Sequence, residues 1–96
     1  MGENMSTTVI SGHGWLRTAG LGASTACYHL TRTAAGVDGE VLAELSTMIE
    51  AAGARHATLV LESGRSVRVD VLRRSAGGLT VHVVEGEQDD LRGPLS

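Results

Sequence analysis

Val41-Leu-Ala-Glu-Leu-Ser-Thr-Met-Ile-Glu-Ala-Ala52, then Gly53, then the β-rich Ala57-Thr-Leu-Val-Leu-Glu62, is the stretch whose reading decides the fold. Val41, Leu42, Leu45, Met48, Ile49 and Ala52 recur at the 3.6-residue period, which predicts an amphipathic helix over 39–52. Asp38 is placed to cap its N-terminus. Glu40 and Glu44 put negative charge in its first turns, and Gly53 is expected as its left-handed stop. Beyond Gly53 the period falls to 2.

Downstream, three strands are expected. Residues 57–62 form the first, with a turn at Ser63-Gly64. In Ser66 to Arg73, Val67, Val69 and Val71 alternate with Arg68 and Asp70, giving one dry face and one wet face. A reversal at Ser75 to Gly78 leads into 79–84, where Leu79, Val81 and Val83 oppose Thr80, His82 and Val84. Such a meander buries its dry face most simply under the helix. Upstream, Thr7 to Ile10 reads as a strand that Gly12 and Gly14 break; Trp15-Leu16 belongs to the same strand or to the next, and Gly20 to Gly22 reads as a turn. Cys27 to Thr33 is read as a strand in preference to a helix running from a Ser24 or Thr25 cap to Gly36, because Tyr, Thr and Cys favour strands. The expected fold is α+β: an antiparallel ββαβββ sheet with one main helix on one face. A single domain spans 6–84, between a disordered 1–5 and an acidic flexible tail at 85–96 carrying Glu85, Glu87, Asp89 and Asp90.

Ninety-six residues support one hydrophobic core. Hydrophobic content of 42% with 20% charged residues is ordinary for a globular domain and excludes collagen-like or wholly disordered chains. One Trp, one Tyr and no Phe leave few rings for base stacking, and a net charge of −3 opposes phosphate-backbone binding. No nucleic-acid partner is expected. Cys27 is the single cysteine, so no intrachain disulfide forms. No secretory leader or membrane-spanning run is visible, which predicts a cytoplasmic protein without a membrane partner.

Three patterns invite chemistry, and each lacks its context. Gly12-His-Gly14 and Gly20-Leu-Gly22 resemble phosphate loops but have no Gly-Lys-Ser/Thr ending. Gly36-Val-Asp-Gly39 has a Gly-x-x-Gly form, yet Asp38 and Glu40 would repel a phosphate backbone. Cys27 and His29, with His13, His56 and His82, supply soft ligands without a second pair at diagnostic spacing. No catalytic residue, metal or cofactor is expected. Interaction surfaces are read instead. The strand over 57–62 is expected at a sheet edge, beside small alanines on the helix. A homodimer interface is therefore expected at Ala51, Ala54, Thr58, Leu59, Val60 and Leu61, with partner-binding residues at Arg68, Asp70, His82, Glu85 and Glu87.

The helix from Val41 to Ala52, the strand Thr58 to Ser63 with Gly64, the alternating Ser66 to Leu72 and Gly77-Gly-Leu-Thr-Val-His-Val83 together resemble, in pattern, the short ββαβββ members of the Roadblock/dynein-light-chain superfamily. The resemblance covers about residues 37–84. It implies a five-stranded sheet paired with its symmetry mate and a non-catalytic, homodimeric regulatory or scaffold platform, with a small GTPase as a possible partner. The alternative expectation is a small acidic inhibitor, of phage type, that imitates nucleic acid and binds a host complex. It rests on the negative balance and the acidic tail.

Overall fold

A computed structural model describes residues 8–20 and 22–84. Six antiparallel strands and one short helix follow in the order β1 (Thr8–Arg17), β2 (Ala23–Thr33), β3 (Gly36–Ala43), α1 (Leu45–Ala54), β4 (His56–Val60), β5 (Ser66–Ser75) and β6 (Gly78–Val83). The strands close into a barrel in the order β1-β2-β3-β6-β5-β4. This corrects the α+β expectation of an open sheet under a helix, and with it the five-stranded, Roadblock-like architecture. The cause lies in 36–43, where the predicted helix start is instead a strand with Val37, Gly39 and Val41 turned inward and Asp38, Glu40 and Leu42 outward. That period-2 pattern outcompetes the helical one because β3 finds ladders on both sides, with β2 and with β6.

The helix is correspondingly shorter and turned. Its buried residues are Thr47, Met48 and Ala51, while Leu45 and Ile49 of the expected stripe face outward. It packs against β1, β3, β4, β5 and β6, so it plugs one mouth of the barrel. Asp38 is a strand residue and does not cap it. Glu44 occupies the N-cap position without a side-chain cap bond. Gly53 lies within the helix; the left-handed residue that ends it is Arg55, at φ 70°.

Inside the barrel, Leu16, Leu30, Val37, Val41, Leu59, Val67, Val69, Leu79, Val81 and Val83 are buried around a common axis. Each such side chain contributes about 2 kcal/mol when removed from water. Closure needs tight curvature, and two glycines in inward slots provide it. A Cβ on Gly39 would sit 2.1 Å from the His29 carbonyl oxygen, and one on Gly14 would sit 1.9 Å from that of Val60. The strand reading of 27–33 holds within β2. The strand expected at 7–10 runs on through Gly12 and Gly14 to Arg17.

The β1–β4 ladder is the shortest, Trp15–Arg17 against Thr58–Val60. Where it ends, Tyr28 crosses the interior and its hydroxyl accepts the Glu62 backbone N–H at 2.9 Å. On its other side β4 pairs with β5 along its whole length. Of the sheet edge expected at 57–62, Thr58–Val60 is thus paired on both sides. No helix among the described residues is long and apolar enough to cross a membrane. The expected termini at 1–5 and 85–96 lie outside the described residues.

Candidate functional site

Packing the interior forces alternate residues of every strand outward, so the outer wall is where chemistry can vary. Over β1, β2 and β3 the register sets His13, Cys27 and Leu42 in one row and Trp15 opposite Thr25 in the next. Trp15 on β1 and Leu42 on β3 are each 50% exposed, unusual for residues of their size. Between them, β2 offers only Thr25, Ala26 and Cys27, and Gly14 adds nothing above the backbone. Two large apolar walls thus flank a floor of small residues, in an open groove of about 520 Å³ with His13 and Glu44 on its rim.

Wall spacing follows from sheet geometry. Two inter-strand steps set the β1 and β3 backbones about 9.6 Å apart. The corner from β3 into α1 is fixed on the same side: the Glu44 N–H donates to Ser24 Oγ at 3.2 Å, and that hydroxyl donates to the Thr25 carbonyl at 3.2 Å. Past this corner α1 begins, on which Leu45 is 59% and Ile49 50% exposed. They are one helical turn apart and share a face.

A second row runs around the other side. Register places Asp38 opposite His82, His82 opposite Asp70, and Asp70 opposite His56, across β3, β6, β5 and β4. His82 Nδ1 lies 2.5 Å from Asp38 Oδ1. Arg68 stands opposite Thr58 and shares a depression with Arg17, His56 and Asp70. Among the described residues no three of His, Cys, Asp and Glu group so as to hold a metal ion. Cys27 is exposed on the groove floor with His13 across the ladder.

The residues expected to act in partner binding are therefore divided. Arg68, Asp70 and His82 do share the outer wall, and the structure adds Asp38 and His56 to them. Glu85 and Glu87 lie outside the described residues. Of the expected dimer residues, Ala51 and Leu59 are fully buried and Leu61 nearly so, all in the core; Thr58 and Val60 are half-buried on the wall, and Ala54 is exposed at the end of α1. Sequence reasoning missed Trp15 and Leu42 as a pair. The available signal was the run Ile10, Gly12, Gly14, Leu16, whose inward slots leave Trp15 outward. Comparison of the chain with protein-family models, with curated proteins and with solved structures finds no match.

Proposed function

We propose that this chain is a non-catalytic protein-interaction module that holds an extended apolar segment of another protein in the groove between Trp15 and Leu42. The supporting observation is the large–small–large profile across β1, β2 and β3. Walls rooted about 9.6 Å apart leave room for one extended chain, about 4.8 Å across, whereas a helix with its side chains needs about 10 Å or more. At the groove, β2 is paired on both sides, with β1 and with β3, so no strand edge is offered on its floor. Recognition here is by side chains, with burial of Trp15 and Leu42 supplying the attraction.

Trp15 is the single tryptophan, so its fluorescence reports on the groove directly. Synthetic extended peptides of Val, Ile and Pro are titrated into the 96-residue chain. A saturable blue shift that Leu42→Asp abolishes, with the melting temperature of that variant unchanged, supports the reading. No shift with any peptide, or an equal shift in the variant, overturns it. A blue shift that grows with protein concentration alone, and that peptide does not compete away, assigns the groove to a second copy of the chain instead.

A further inference from the structure

We infer a second, independent site at the plugged mouth of the barrel, where Arg55, Arg73 and Arg74 take the phosphomonoester group of a small ligand. Three features of the backbone bring these side chains together. In the β5–β6 ladder Val71 faces Val81 but Arg73 faces Thr80, so Leu72 is the extra residue of a β-bulge. Without it, position 73 would follow Val67, Val69 and Val71 into the core. With it, Arg73 stands on the outer side opposite Thr80 while Arg74, opposite Leu79, lies on the other face at the barrel mouth, and both are exposed. Arg55 arrives from the end of α1 in a left-handed conformation that glycine ordinarily fills, and it is the one described non-glycine residue with positive φ. Its N–H donates to the Ala51 carbonyl at 2.8 Å and its own carbonyl accepts the Val71 N–H at 2.9 Å, which pins it beside β5.

Arg55, Arg73 and Arg74 line a depression of about 350 Å³ together with Ala52, Val71 and Leu72. That volume is near the lower end for small-molecule sites. Among the described residues no carboxylate pairs with any of the three. Three like charges around one depression carry a mutual repulsion. A phosphate dianion removes it, and each planar guanidinium can donate two hydrogen bonds to phosphate oxygens. Leu72, largely exposed, offers an apolar shelf beside the charges. The ligand class is accordingly a phosphate ester with a small apolar body.

Phenyl phosphate and inorganic phosphate are titrated separately into ¹⁵N-labelled full chain at constant ionic strength. Saturable amide shifts confined to residues 51–55 and 71–75, with phenyl phosphate binding more tightly than inorganic phosphate, are expected. Arg74→Gln lowers affinity about ten-fold, as expected for loss of a charge-assisted hydrogen bond. Arg55→Gly is the decisive variant, because glycine suits the left-handed position. Its melting temperature holds or rises while phosphate affinity falls, which a purely structural role for Arg55 would not produce. Shifts reproduced by NaCl alone, or unchanged affinity in both variants, overturn the site. So does a single-stranded oligonucleotide that binds far more tightly than phenyl phosphate with steep salt dependence, since that marks an extended polyanion surface.

Discussion

The Trp15–Leu42 end of the outer wall over β1, β2 and β3 and the row that runs from Asp38 of β3 across β6, β5 and β4 are built on one interior yet present opposite chemistries. The first carries Trp15, Cys27 and Leu42; the second carries His82, Asp70, Arg68 and His56. Inside, the two halves are indistinguishable in kind: Leu16, Leu30 and Val41 on one side meet Leu59, Val69 and Val81 on the other, all fully buried. Barrel closure makes the same demand of every strand. The difference outside is not imposed by packing.

The comparison is tested most severely in the interior. Leu30→Ala and Leu59→Ala, one from each half, are each expected to cost about 3 kcal/mol in urea denaturation followed by circular dichroism. A large inequality between them would show that the halves do not share one core. Tyr28→Phe removes the acceptor for the Glu62 N–H and is expected to cost about 1 kcal/mol by the same measurement. On the polar wall, Asp38→Asn breaks a contact between partly exposed groups; about 0.5 kcal/mol is expected, shrinking as NaCl is added. On the apolar wall, Leu42→Ser should leave stability within about 0.5 kcal/mol of the parent while weakening peptide capture. If Leu42→Ser instead costs as much as an interior truncation, the groove is part of the core and the contrast fails.

Legibility in the sequence tracked the chemistry of the inward slots. β5 and β6 were plain because Val67, Val69, Val71 and Leu79, Val81, Val83 fill those slots with aliphatic residues. β3 was hidden because Gly39 holds one of its slots, leaving Val41 and Leu42 to be counted into the helical stripe that follows. β1 was cut short for the same reason at Gly12 and Gly14. These glycines read as breaks, whereas Gly14 and Gly39 are the places where neighbouring backbones come too close for a Cβ. The bulge at Leu72 left one mark, Leu72 and Arg73 inverting the alternation set by Val67, Val69 and Val71, but such an inversion does not by itself distinguish a bulge from a strand end. The groove depended on still more: Trp15, Thr25, Cys27 and Leu42 meet only through strand register, which composition does not encode.

The three-residue match of Trp15–Arg17 with Thr58–Val60 has a mechanical consequence. A ring of strands parts where its stitching is thinnest, and one wall of the groove is rooted in that line. A segment lodged against Trp15 would act as a clasp, so occupancy and breathing of the ring are thermodynamically linked. Amide exchange at residues 15–17 should slow in proportion to saturation by peptide, faster-opening positions elsewhere staying as they were.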